Sequence, residues 1–270
     1  MHNTHNKSIK EILDGSTVVP SVPTVLAQSL NLMEDPNSNI KQIADLISKD
    51  ISLSAQVLKL VNSAYYGFPS QITTINKAMA LLGFNTIKNL ILSVSVKAIM
   101  MSNSGKPLWE HSVRCAVACQ MLSKSLGGID PDEAYIMGLL HDIGKTVMDS
   151  VNKDAVKEIT RLTSLGADIL QAEKMFFGYT HTDLGRELAL KWKLPAVVGT
   201  AIRFHHMPLI ADNKLHAGIV YVGDRITRVP IKYPILDPDI VDSFDFEVPD
   251  PMALREKVFE ASEHIITALS

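Results

Sequence analysis

At 270 residues the chain fits one large domain or two lobes of about 100–170 residues each. Hydrophobic residues make up 46%, charged residues 20% and aromatics 6%, which supports an aliphatic core and excludes a mostly disordered chain. A net charge of −3 supplies no basic field for nucleic acid or an anionic membrane, and two cysteines, Cys115 and Cys119, cannot form a disulfide framework.

The polar start, residues 1–7, lacks the apolar core of a signal segment. The most apolar stretch, 89–96, is too short to span a bilayer. A soluble, cytoplasmic protein without membrane contact is expected. Helical periodicity then runs along the chain. Ile40, Ile43, Ala44 and Ile47 make one stripe, opened by Asn39 and Gln42 at capping-box spacing. Leu53, Val57, Leu60 and Val61 make a second stripe. Gly67 and Pro69 predict a turn over residues 65–69, whose Tyr65, Tyr66 and Phe68 suit either lobe packing or a partner contact. Residues 74–82 read as a short helix stopped by Gly83, and 87–101 as a helix apolar almost all round, hence buried.

The polar stretch 102–107, with Gly105 and Pro107, marks a lobe boundary. Further helices are predicted near 108–126, 132–149, 152–165, 181–193, 195–206 and 214–228. Residues 237–250 hold six acidic residues and no basic one, a solvated connector. A last helix over 252–268 would dock through Leu254, Val258, Ala261 and Ile265. Sustained period-2 alternation is absent, so the fold class is all-α, a two-lobed helical bundle divided at 1–104, 105–235 and 236–270.

Nine histidines pose the functional question. His111 shares a stripe with Leu108, Cys115, Ala118 and Leu122, and His141 with Ala134, Met137 and Gly138. His181 opens a stripe of Leu184, Gly185, Leu188 and Trp192. His205 follows Val198, Ala201 and Ile202, and Asp224 follows Ala217, Val220 and Tyr221. One such histidine is ordinarily a hydrogen-bonded core residue. Five helices turning one potential ligand each toward the interior, with Asp142 and His206 alongside, instead suit a divalent metal. A buried carboxylate needs a partner, and the two oxygens of Asp142 could bridge two ions that present hydroxide to phosphorus. Lys145, one turn after His141, would steer a phosphate oxygen. His2 and His5 are read as tail, His216 and His264 as surface.

The order His111, His141-Asp142-Ile-Gly-Lys145, Asp224 resembles the HD superfamily of metal-dependent phosphohydrolases. Val19-Pro-Ser-Val-Pro23, Asn62 to Pro69, Ala78 to Asn89, Leu108 to Ser112, Gly138 to Lys145 and Ala201 to His206 are similar to signatures of the HDOD family, the HD-related output domain. That resemblance covers roughly residues 10–230 and implies an N-terminal helical lobe packed on an HD-like lobe. It also implies bacterial signal transduction through a signalling protein partner, in a family usually treated as regulatory. Comparison with the HD-GYP phosphodiesterases of cyclic-di-GMP implies metal ligation by His111, His141, Asp142, His181, His205, His206 and Asp224, with Asp142 and Lys145 catalytic. Two departures stand out: Met207-Pro-Leu-Ile210 replaces the Gly-Tyr-Pro segment, and Pro107 stands where some members carry an acid. The resemblance therefore implies surviving metal ligation without cyclic-di-GMP recognition. Two functions stay open, and with them whether the chain is an enzyme. The first, and the one the resemblance favours, is a signal-transduction module acting through protein interactions, whose degenerate HD site could hold one or two divalent ions (Fe, Mn, Ni, Zn or Co). The other is a phosphohydrolase acting on a nucleotide or cyclic dinucleotide. Nucleic-acid binding is excluded for want of a basic stripe.

Overall fold

The computed structural model describes residues 9–14, 40–102, 105–230, 236–244 and 248–270. His2, His5, Asn39 and the 19–23 motif lie outside them. All regular structure among the described residues is helical, so the all-α expectation holds. In chain order the helices are α1 (Ile9–Asp14), α2 (Ile40–Lys49), α3 (Ile51–Val61), α4 (Ile75–Ser102), α5 (Gly105–Leu126), α6 (Pro131–Leu140) and α7 (Ile143–Val151). They continue with α8 (Lys153–Ser164), α9 (Ile169–Phe177), α10 (His181–Lys191), α11 (Ala196–Phe204), α12 (Lys214–Thr227), α13 (Pro238–Asp242) and α14 (Pro251–Leu269).

The predicted stripes bury as expected: Ile43, Ala44 and Ile47 on α2, and Leu53, Val57, Leu60 and Val61 on α3. Gly83, at φ 76° and ψ 175°, stops the first helical segment of α4 as expected, and a second segment starts straight after this kink. By length and composition the segment Ile75–Met101 could cross a bilayer. Its apolar residues instead serve the interior, with Ile87, Ile91, Leu92, Val96 and Met100 buried.

The single helix expected over 132–149 is two. Asp142, at φ −103° and ψ 8°, leaves helical geometry and separates α6 from α7. Helix α9 was not expected. Its signals are nonetheless in the sequence: Asp168 caps Gln171 N at 2.9 Å, and Gly178 closes the helix in the left-handed conformation. The 237–250 stretch is more than a solvated connector. It holds α13, buries Phe244, and its Asp237 N–H donates to the Tyr221 hydroxyl at 3.0 Å.

Helix α5 lies at the centre, packed by α4, α6, α12 and α14, while α10 packs on α7 and α11. The C-terminal helix α14 lies against α3, α5 and α12, burying Leu254, Val258, Ile265, Ile266 and Leu269, with Ala261 half-buried. The aromatic turn packs inward: Tyr65, Tyr66 and Phe68 rest on the core, and the Tyr65 hydroxyl donates to Gln120 of α5 at 2.7 Å.

Candidate metal centre

Helix ends aim the ligands. His141 and His205 occupy the C-cap positions of α6 and α11. There, the last carbonyls lack helical partners. His141 Nδ1–H donates to Gly138 O and His205 Nδ1–H to Ile202 O, each at 2.8 Å. That fixes the tautomer and turns both Nε2 lone pairs inward. Asp142 stands at the N-cap of α7 but makes no side-chain capping bond, so its carboxylate is free for the cluster. Gly144 permits the approach of α7 to α10, since a Cβ there would lie 2.0 Å from His181 O.

The structure brings all seven expected ligands together. His111 Nε2 lies 3.3 Å from His141 Nε2 and 3.2 Å from Asp224 Oδ1. His181 Nε2 lies 3.5 Å from His205 Nε2 and 3.2 Å from His206 Nε2. Asp142 stands between these two trios. Its Oδ2 is 3.3 Å from His141 and 3.8 Å from His111, and its Oδ1 is 3.3 Å from His181 and 3.8 Å from His205. Lys145 Nζ reaches Asp142 Oδ2 at 2.6 Å from a side chain 30% exposed, at the rim. His216 is half-buried rather than on the surface, held by Asn213 and 3.6 Å from Glu133, because α12 turns it toward α6. His264 is exposed, and Cys115 and Cys119 are buried free thiols.

Three supporting residues escaped the sequence reading. Buried Glu173 of α9 accepts from His181 Nδ1 and from the His181 backbone N–H, each at 2.8 Å. Arg228 binds both oxygens of Asp224, with Nε at 3.1 Å and Nη2 at 2.5 Å. Thr227 Oγ1 lies 3.5 Å from His111 Nδ1. The spacing of Arg228, one turn after Asp224, was a readable signal. Glu173 had none, since its partner lies across a helix boundary.

Electrostatics favour the ligating forms of His205, His206, Asp142 and Asp224, whereas at His141 they favour the protonated ring. Burial pushes His205 well below the usual imidazole value, helped by His206, His141 and His181. Burial, then His181, lowers His206 to about 2. Burial opposes ionisation of Asp142, yet His141, Lys145 and His181 hold its carboxyl well below the usual range. Asp224 is likewise held low against burial by His111 and Arg228. At His141, burial opposes a charge, but Asp142 prevails and raises the pKa well above the usual value. The buried carboxylates thus call for positive charge at the centre. Asp142 Oδ1 is buried without a hydrogen-bond partner, and a cation between it and the facing imidazoles would satisfy it. The trios His181–His205–His206 and His111–His141–Asp224 each bring their donor atoms within 4.8 Å, so a divalent cation fits this N/O set.

The chain is similar to known proteins. The family model described as HDOD domain matches residues 19–208. An uncharacterized protein of Treponema pallidum (strain Nichols) is 30% identical over 210 residues, 74% of this chain and 40% of that protein. The cyclic di-GMP phosphodiesterase CdgJ of Vibrio cholerae is 21% identical over 135 residues, 50% of this chain and 30% of that protein. This chain therefore spans less than half the length of either curated relative. A crystal structure of a candidate phosphohydrolase from Shewanella amazonensis SB2B superimposes with a TM-score of 0.81 at 26% identity, covering 98% of this chain and 99% of that one.

Proposed function

The chain belongs to the HDOD domain family, and from that premise we propose that its His–Asp cluster is a two-cation centre for phosphoester hydrolysis within a signal-transduction module. One observation carries the reading: Asp142 offers one carboxylate oxygen to each trio, His181–His205–His206 and His111–His141–Asp224. When bound, divalent cations supply Lewis acidity toward a phosphoryl oxygen and acidify water near neutral pH.

The chain's own residues supply the rest. His141, His181 and His205 keep Nε2 aimed inward because Gly138 O, Glu173 and Ile202 O hold the other ring nitrogens. Burial of these rings excludes bulk water and strengthens the field of the carboxylates. Lys145 at the rim would orient a phosphoryl oxygen as a point charge. The substrate class proposed is a nucleotide or cyclic dinucleotide; the cyclic di-GMP phosphodiesterase that the chain resembles is matched over only 30% of its length.

A second reading, regulation through contact with a signalling protein, has its own observation. The segment Met207–Ile210 that replaces Gly-Tyr-Pro forms a 3-10 turn beside His206, with Met207, Leu209 and Ile210 exposed. Elemental analysis of protein purified without chelators, followed by a phosphatase and phosphodiesterase screen with Mn, Fe and Ni, separates the two. Bound cations with turnover abolished by Asp142→Ala support hydrolysis. Bound cations without turnover on any substrate favour the regulatory module, and protein that takes up no cation sinks both forms of the metal centre.

A further inference from the structure

The two halves of the cluster are not equivalent. On the His181–His205–His206 side, Asp142 Oδ1 has no hydrogen-bond partner. His181 is backed by the buried Glu173 carboxylate, a stronger electron donor than the carbonyls behind His141 and His205. On the other side every carboxylate oxygen already has a protein cation. Asp142 Oδ2 accepts from Lys145 at 2.6 Å, and Arg228 grips both oxygens of Asp224. His111 is loosely held, its Nδ1 lying 3.5 Å from Thr227 Oγ1 and its side chain 16% exposed.

We infer that the centre loads unequally: the His181–His205–His206 side with Asp142 Oδ1 is the tight cation position, and the His111–His141–Asp224 side is a weaker, exchangeable one for which Lys145 and Arg228 compete. The inference rests on the two-cation reading above. The physical reason is Coulombic. A cation entering the first position meets a carboxylate oxygen that faces imidazoles but accepts no hydrogen bond from a lysine or arginine. One entering the second must share or displace two ammonium or guanidinium groups already paired there. Lys145 and Arg228 have side chains 30% and 33% exposed, so both can withdraw toward solvent. They act as built-in competitors rather than as ligands, and the second position fills only when cation concentration rises.

The test is titration of the cation-free 270-residue chain with Mn2+, following free Mn2+ and spin coupling between bound ions by electron paramagnetic resonance. Wild type is expected to bind one ion tightly and a second about tenfold or more weakly. Arg228→Gln should tighten the second ion and bring in spin coupling at lower Mn2+, with the first unchanged. Lys145→Met, at an independent position, should do the same. Glu173→Gln should weaken the first ion by about tenfold, the usual cost of losing a group that orients a ligand. Two ions of equal affinity in wild type would overturn the inference while leaving the two-cation centre standing. So would a second-ion affinity untouched in both folded cation variants. Wild type that binds no Mn2+ would instead remove the proposed centre itself.

Discussion

At the residue scale the centre depends on His141, His181 and His205, each with its second ring nitrogen engaged outside the cluster. Glu173 is the clearest case, since removing its charge leaves His181 Nδ1 against a neutral amide. Glu173→Ala goes further and strands a buried donor, at a cost of about 1–3 kcal/mol. Thermal denaturation should show that loss even in chelator. The histidines also make an acid-sensitivity prediction. With its pKa lowered to about 2, folded His206 stays neutral while the unfolded chain takes up a proton near ~6.5. His206 therefore contributes stability above that value that is lost as pH falls, and His205, lowered by burial, acts in the same sense. His141, raised by Asp142, acts oppositely. The direct check is the His206 ring resonance, expected to stay flat between pH 8 and 5; a sigmoid centred near 6.5 would refute it.

At the element scale, the ends of helices matter more than their middles. Two ligands sit at C-caps, Asp142 at an N-cap, and His181 is the first residue of α10. Thr180 holds that last start in place through a capping box with Asp183. The approach of α7 to α10 tolerates nothing larger than glycine at 144. Gly144→Ala should therefore push these helices apart, costing about 1–3 kcal/mol or more. It should also separate Asp142 Oδ1 from His181, so the variant is expected to melt earlier and lose its tightest cation. Unchanged cation affinity with a lowered melting temperature would show that α7 and α10 adjust independently of the centre. The helices themselves were legible from stripes of aliphatic residues. The break at Asp142 and helix α9 were not read, because His141 and Asp142 lie inside an otherwise continuous pattern and α9 is short.

At the scale of the whole molecule, α14 joins the N-terminal helices to those that carry the ligands. It contacts α3, α5 and α12, and α5 and α12 bear His111 and Asp224. Each of its buried Leu, Val and Ile side chains contributes roughly 1.5–3 kcal/mol by burial. Truncation before Pro251 would uncover the apolar faces of three helices at once. The truncated chain is expected to aggregate or to lose a cooperative melt, and a soluble, cooperatively folding product would show that α14 is an accessory. Ile265→Ala is the milder test, expected to cost about 2–5 kcal/mol.

The sequence by itself determined the helical class, the inward stripes and the identity of the seven His and Asp residues that cluster. Local periodicity decides which face of a helix is buried, and motif order marks which polar residues sit on that face. Only the tertiary structure decided which imidazoles share a carboxylate oxygen, and that Glu173 and Arg228 back opposite halves of the cluster. Those facts depend on how α7, α9, α10, α11 and α12 meet in space. The packing of helix ends sets distances of a few Å between residues far apart in the chain, and no periodicity along one helix encodes them.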